Sequence, residues 1–293
     1  MEVGGTRVSS CHWRSQLQRG LFMSATANAP AFTSVYGPVS SWRYGRSLGI
    51  DPIGSTSACS FNCVYCQLGE IEIKTSNRQI FVPTDRILPD LQPFAPWDDI
   101  DVITLSGSGE PTLALNLHDI ITGVKATTGK PVAVLTNATL LSDPDVREAL
   151  SHADIVAAKL DATSPETLQA IDRPTPDINW AQLWAGLQQF SATYPGRLDI
   201  QTMMMSPWKS NTQQAYIDLI KTLQPHEIQL NTPTRPKPLK HEFDARGNHS
   251  SADDRPYRVR TFKQVSPERL QQFARDIQTA TGIPVRCAPS KTE

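Results

Sequence analysis

Residues 56–70 read TSACSFNCVYCQLGE and place Cys59, Cys63 and Cys66 at the spacing C-x3-C-x2-C. Three thiolates this close suit one iron–sulfur cluster or one metal ion, because soft sulfur ligands favour iron–sulfur clusters and zinc over hard cations. The other cysteines, Cys11 and Cys287, are far away in sequence. A four-iron cluster held by the triplet would therefore keep one iron without a protein thiolate. Such an open coordination position is typical of a catalytic metal site.

The other interpretations of the cysteines are a structural zinc site, unrelated buried thiols and a disulfide. A structural zinc site needs a fourth ligand, and no histidine lies near the triplet in sequence. A disulfide is disfavoured, because the chain has an odd number of cysteines, 5, and shows no secretory signal. The cysteines alone therefore favour an iron–sulfur cluster and leave zinc open.

Composition limits the class of protein. A chain of 293 residues with 39% hydrophobic and 19% charged residues suits one large α/β domain with a modest extension. The net charge of −1 gives no indication of nucleic acid or a membrane surface as partner. Because the chain has no run of about 18 apolar residues, no membrane helix is expected. Reduced thiolates favour a cytoplasmic location.

Apolar runs of strand length alternate with helical patterns, which predicts βα units around a parallel sheet. The predicted strands cover residues 47–53, 101–105, 132–136, 155–160, 198–203 and 227–230. Amphipathic helices are predicted between them, for example around residues 117–124 and 216–223. Six such units form an incomplete barrel.

The chain divides into three predicted parts. Residues 1–33 are predicted to be a disordered tail, residues 34–233 the barrel core, and residues 234–293 a C-terminal extension. The extension comprises a basic loop over residues 234–264, a helix that opens at Pro267, and a short strand over residues 283–287. We expect it to form a lid or an edge across the open barrel.

Polar residues follow the predicted strands, where functional side chains of a βα barrel lie. Glu110 sits on a loop with Gly107 and Gly109, and we expect it to bind a cofactor rather than to support folding. An ordinary glycine turn is the alternative. Lys159 and Asp161 share a face of their strand, so they could bind a cofactor or form a mutual salt bridge.

The last two predicted strands supply candidate substrate ligands. Gln201, Gln229 and Asn231 are uncharged amides expected to face the barrel interior. Such amides need hydrogen-bond partners, which a substrate, neighbouring strands or water could supply. Arg235 follows the sixth strand directly and is expected at the mouth of the barrel.

These motifs resemble those of the radical S-adenosylmethionine superfamily over about residues 35 to 236. The resemblance rests on the cysteine triplet with Tyr65 before its third cysteine, on the sequence SGSGEP at residues 106–111, and on the positions of Asn137, the Lys159–Asp161 segment and the Gln229–Asn231 segment. Within the superfamily, residues 56–70 are most similar to the group that includes the wybutosine-type tRNA-modifying enzymes and many uncharacterised relatives.

The resemblance implies a partial (β/α)6 TIM-like barrel and two cofactors. The three cysteines would hold a [4Fe–4S] cluster, and its open iron would chelate S-adenosylmethionine. Reductive cleavage of S-adenosylmethionine would give a 5′-deoxyadenosyl radical that abstracts hydrogen from the substrate, with flavodoxin or ferredoxin as the reductant. The implied cofactor-binding residues are Tyr65, Gly107, Gly109, Glu110, Asn137, Lys159 and Asp161.

Three hypotheses for the function stay open. The first is modification of tRNA or another nucleic acid, although Cys11 and Cys287 are too few to bind the additional cluster of the archaeal wybutosine-forming enzymes. The second is a radical enzyme that acts on a small anionic metabolite. The third is a non-catalytic regulator that binds an iron–sulfur cluster or zinc.

Replacement of Cys59, Cys63 or Cys66 with Ala should abolish the visible iron–sulfur absorbance of the anaerobically reconstituted protein, because each supplies one ligand. The matched control is Cys287→Ala, which should keep the cluster. Equal loss of absorbance in the control would contradict the assignment of three ligands.

Overall fold

The computed structural model describes residues 1, 32–246 and 256–289. The predicted tail, residues 1–33, therefore lies almost wholly outside the described residues, and so does Cys11. The described strands are β1 (Val35–Ser41), β2 (Gly45–Ile50), β3 (Ala58–Cys59), β4 (Ile73–Lys74), β5 (Val102–Leu105), β6 (Val132–Thr136), β7 (Ile155–Lys159), β8 (Arg197–Met203), β9 (Glu227–Asn231), β10 (Lys237–Pro238), β11 (Val259–Arg260) and β12 (Val285–Cys287).

The described α-helices lie mostly between the strands of the main sheet. They are α1 (Thr84–Leu91), α2 (Leu117–Thr128), α3 (Pro144–Ser151), α4 (Pro165–Ile171), α5 (Trp180–Thr193), α6 (Ser210–Leu223) and α7 (Pro267–Thr281). Short 3₁₀ turns cover Gln92–Phe94, Pro111–Leu113 and Phe243–Ala245. Among the described helices, none combines the length and the apolar character needed to cross a membrane.

The main sheet has eight strands in the order β1-β2-β5-β6-β7-β8-β9-β12. All neighbours run parallel except β1, which pairs antiparallel with β2. The six predicted strands are β2 and β5 to β9, so the predicted partial barrel is confirmed. The first of them ends at Ile50 rather than at residue 53. Asp51 stops it by accepting hydrogen bonds from the amides of Ile53 and Gly54, a local turn that competes with the ladder.

Only one of the two edge strands of the sheet is predicted from the sequence. No sequence pattern predicts β1. The short strand predicted over residues 283–287 is β12, which pairs with β9 and extends the parallel sheet. The sheet curls so that its edges approach, because the guanidinium of Arg286 on β12 donates to the carbonyls of Trp42 and Arg43 in the β1–β2 turn, at 3.1 and 2.9 Å.

The two faces of the curled sheet differ in polarity. The outer face carries buried aliphatic residues and packs on the helices, as Ile103, Val134 and Ile200 illustrate. The inner face carries a polar row, because the strand register places Lys159, Gln201, Gln229 and Arg286 side by side. The helices therefore supply the apolar core, and the interior of the partial barrel is polar.

Arg246 holds the C-terminal extension against the start of the barrel. Its guanidinium lies 2.9 Å from the Asp51 carboxylate, and both side chains are buried. It also donates to the carbonyl of Thr33 and packs over the rings of Tyr36 and Phe243, 4.6 and 4.2 Å from their centroids. The basic loop therefore uses one of its charges for an internal ion pair.

Replacement of Arg246 with Met should lower the free energy of unfolding by about 3–5 kcal/mol, because it leaves the Asp51 carboxylate buried without its cation. Chemical denaturation measures the change. Arg269→Met removes the same charge from an exposed position of α7 and should change stability by about 0.5 kcal/mol or less. Equal stability of the two variants would show that the ion pair does not hold the extension.

Candidate metal and cofactor site

The three cysteines lie on one loop at the edge where the parallel strands end. Cys59 ends β3, and a tight turn follows in which the amide of Cys66 donates to the carbonyl of Cys63 at 3.1 Å. All three are free thiols of intermediate exposure. Across residues 32–246 and 256–289, no three His, Cys, Asp or Glu side chains are gathered closely enough for a single metal ion.

The electrostatics of the thiols fit metal ligation. Burial raises the pKa of Cys59 to about 12, and it raises the pKa values of Cys63 and Cys66 as well. The charged forms of the thiols also raise one another's pKa by mutual repulsion. An iron–sulfur cluster bound to the three sulfurs would replace their protons and neutralise that charge. The donor set therefore fits an iron–sulfur cluster, although the structure contains no ligand.

The loop of Gly107, Gly109 and Glu110 is joined to the cysteine loop through the main chain. The amide of Ala58 donates to the carbonyl of Ser108 at 3.2 Å, and the amide of Glu110 donates to the carbonyl of Ala58 at 3.0 Å. A Cβ at Gly109 would collide with that carbonyl, and a Cβ at Gly107 would collide with the Asp51 side chain. At both glycines it is therefore the protein's own chain that makes the close approach.

Glu110 is 2% exposed, and its carboxylate accepts four hydrogen bonds from the protein. Its Oε1 atom accepts from the amide and hydroxyl of Thr112 and from the hydroxyl of Thr136, and its Oε2 atom accepts from the amide of Asn137 at 2.6 Å. Burial raises the pKa of Glu110, and these hydrogen bonds oppose the shift. Glu110 therefore caps the 3₁₀ turn at Pro111 and joins two loops, contacts that point to a structural role beside the predicted cofactor binding.

Asn137 connects the same loops to the cysteines. Its Nδ2 atom donates to the hydroxyl of Ser60 at 2.9 Å and to the sulfur of Cys59 at 3.5 Å. Its Oδ1 atom accepts from the amide and hydroxyl of Thr139. Asn137 thus brings the end of β6 to Cys59, as its predicted place in the site requires.

Lys159 is the cation at the centre of the site. Its ammonium group lies 2.9 Å from Asp161 and 2.6 Å from Asp172, and it donates to the hydroxyl of Tyr65 at 2.5 Å and to the sulfur of Cys63 at 3.2 Å. The salt bridge weighed for Lys159 and Asp161 is therefore present. Asp161 also accepts from the hydroxyl of Tyr65, so these predicted cofactor residues form one network beside the cysteines.

Asp172 belongs to this network and was not predicted. It follows α4, is 1% exposed, and accepts from the thiol of Cys63 at 3.6 Å. Burial raises the pKa of Asp172 to about 6, and the nearby Lys159 opposes the shift. No local sequence signal marks Asp172, because it follows a helix rather than a strand.

Two of the predicted substrate residues contact each other, and the other two make separate contacts. Gln229 is fully buried and donates to Asp199 and Glu227, while Gln201 donates to Gln229 at 2.9 Å. Neighbouring strands therefore supply the partners of these amides, one of the alternatives weighed above. The Oδ1 atom of Asn231 accepts from the next amide along the chain. Arg235 is exposed at the cysteine loop and donates to Gln67 at 2.5 Å.

Three similarities to known proteins bear on this site. A family model described as the Radical SAM superfamily matches residues 53–205. The UPF0026 protein slr1464 of Synechocystis sp. is 56% identical over 262 residues, which cover 89% of this chain and 98% of that protein. A probable GTP 3′,8-cyclase of Saccharolobus islandicus is 33% identical over 129 residues, 44% of this chain and 40% of that protein.

A solved structure supports the fold. The structure of Streptococcus suis SuiB bound to S-adenosylmethionine matches with a TM-score of 0.56 at 12% identity, over 80% of this chain and 49% of SuiB. The chain thus spans about half the length of SuiB. With the cysteine loop and the partial barrel, these similarities show a radical SAM enzyme. The chain belongs to the radical SAM superfamily and, within it, to the UPF0026 proteins.

Replacement of Glu110 with Gln should lower the free energy of unfolding by about 1–3 kcal/mol, because the new NH₂ group cannot accept the hydrogen bonds that one carboxylate oxygen now accepts. The cluster content should fall with it, since Asn137 loses its anchor. Thermal and chemical unfolding test this against Glu148→Gln, a change at an exposed glutamate of α3. Wild-type stability of the Glu110 variant would contradict the structural role.

Proposed function

We propose that the chain binds a [4Fe–4S] cluster through Cys59, Cys63 and Cys66 and cleaves S-adenosylmethionine reductively. The observation that carries this proposal is the gathering of three free thiols on one loop, beside Lys159, at the edge where the parallel strands end. Bound together, the two cofactors supply one-electron cleavage of a carbon–sulfur bond and a 5′-deoxyadenosyl radical that abstracts hydrogen from a substrate.

In this proposal, the residues around the cysteines place a positive charge beside the sulfur ligands and fix the positions of those ligands. Lys159 places a positive charge 3.2 Å from the sulfur of Cys63, which favours the thiolate needed for ligation. Asp161 and Asp172 hold the ammonium group in place. Asn137 donates to the sulfur of Cys59 and so helps to orient that ligand. Tyr65, Asp161, Gly107, Gly109 and Glu110 are the residues that would bind S-adenosylmethionine in this proposal, and Tyr65 donates to Asp161 beside the cysteines.

A flavodoxin or a ferredoxin is the proposed electron donor, because the cleavage consumes one electron that the chain does not hold. The thiols must be reduced to bind iron, so we place the protein in the reducing cytoplasm. The non-catalytic regulator is set aside, because the chain belongs to the radical SAM superfamily and one similar protein is a probable GTP 3′,8-cyclase.

For the substrate, a small anionic molecule is favoured over tRNA. The basic loop was the electrostatic support for RNA, but Lys237 pairs with Glu70 at 2.8 Å and Arg246 pairs with Asp51. Because their charges are already paired, Lys237 and Arg246 do not favour binding of a phosphate backbone. The probable GTP 3′,8-cyclase among the similar proteins supports a phosphate-bearing small molecule. Modification of tRNA is the second candidate, carried by the similarity of the cysteine stretch.

The reconstituted and reduced protein should convert S-adenosylmethionine to 5′-deoxyadenosine and methionine, measured by chromatography. Cys63→Ser should lose this conversion, and Cys287→Ser should keep it because Cys287 lies on β12, away from the cysteine loop. A fully loaded wild-type cluster that yields no 5′-deoxyadenosine would refute the proposed reaction.

A further inference from the structure

Arg43 lies in the turn between β1 and β2, at the end of the barrel opposite the cysteine loop. Its main chain is held on both sides, because its amide donates to the hydroxyl of Ser41 at 3.2 Å and its carbonyl accepts from Arg286 at 2.9 Å. The turn is thereby attached to β12, the far edge of the sheet. Arg43 is therefore positioned by the contact that closes the curled sheet.

The guanidinium of Arg43 has no anionic partner among the residues that the structure describes. Its Nε atom is buried and makes no hydrogen bond, and the side chain takes part in no ion pair within those residues. Its described contact is with the ring of Trp42, 4.4 Å from the centroid. A buried, unpaired polar group is unfavourable, and each such group in a folded protein calls for an explanation.

Three acids near the turn already have partners of their own, and Asp101 accepts from the amide of Arg46 at 2.7 Å. Asp199 accepts from Arg197 at 2.9 Å and from the hydroxyl of Tyr44 at 2.9 Å. Glu227 accepts from Arg197 at 3.1 Å and from Arg286 at 2.6 Å. Arg197 and Arg286 are thus paired with two of these carboxylates, whereas Arg43 forms no ion pair among the described residues.

Further positive charge adjoins Arg43 on the side of the cysteines. Burial lowers the pKa of Arg43 to about 10, and Arg235 and Arg286 lower it further by repulsion. Arg235 itself contacts Gln67, the residue after Cys66. Arg235 thus adds a second positive charge beside the cysteine loop.

We propose that Arg43 binds an oxyanion of the substrate, a carboxylate or a phosphate, inside the curled sheet. A guanidinium offers a planar pair of donors that matches either group, and its buried position strengthens the attraction. This proposal rests on the proposed function, because it names the substrate class of that site. Arg43 acts here as a substrate-binding residue, and the cysteine loop supplies the chemistry.

The experiment measures binding of inorganic phosphate and of acetate to the full-length protein by calorimetry and by the shift in melting temperature. Arg43→Met should weaken binding of the preferred anion at least about tenfold, since a charge-assisted hydrogen bond is lost. Arg43→Lys keeps the charge and should bind that anion more tightly than Arg43→Met. Arg269→Met, the exposed control, should bind as the wild type does.

Stability separates binding from a structural role. The stem of Met replaces the packing of the arginine stem, so Arg43→Met should unfold at the wild-type temperature or above it when no anion is added. A lower melting temperature with unchanged anion binding would overturn the proposal. So would equal anion binding by Arg43→Met and the wild type. Neither measurement needs a reduced cluster, so failure of the proposed cleavage reaction would be seen separately.

Discussion

The main-chain pairing of Ala58 with Gly109 sets the distance between the cysteine loop and the sheet, and the rest of the site follows from it. Cys59 comes directly after Ala58, and Glu110 comes directly after Gly109. Glu110 then accepts from the amide of Asn137, and Asn137 donates to Cys59. Three loops are thereby joined in a closed circuit of hydrogen bonds. Only a residue without a side chain can stand at position 109, because the carbonyl of Ala58 occupies the place of a Cβ.

The polar interior of the barrel is stable because its charges are paired almost throughout. Lys159 contacts Asp161 and Asp172, and Arg197 contacts Asp199. Buried charges are tolerated only with such partners, so a polar interior requires matched numbers of acids and bases. The apolar outer face supplies the burial that drives folding. The outer face of the sheet therefore contributes the burial that stabilises the fold, and the inner face carries the polar residues of the site. Arg43 departs from this pairing, and that departure is what marks it as a ligand-binding group.

Periodicity and spacing predicted the local features of this fold. Residues 132–136 are predicted and observed as the same strand, and the proline at position 144 opens α3 after a capping Asp143. The partners of buried charges could not be predicted, because they come from distant parts of the chain. Asp172 meets Lys159 only through the packing of α4, and Arg246 meets Asp51 across 195 positions. A count of charges over residues 234–264 therefore overstated the basic surface of that loop.

The cysteine loop and the β1–β2 hairpin turn lie at opposite ends of the barrel. The cysteine loop and its supporting network lie where the parallel strands end, and they need Lys159, Asn137 and Glu110 in fixed positions. The hairpin turn lies at the other end and is attached to β12 by Arg286. A change at Arg43 leaves every hydrogen bond of the cysteine loop in place, because no described side-chain contact joins the two. Within this architecture, the substrate group that is bound can therefore change independently of the residues that hold the cofactors.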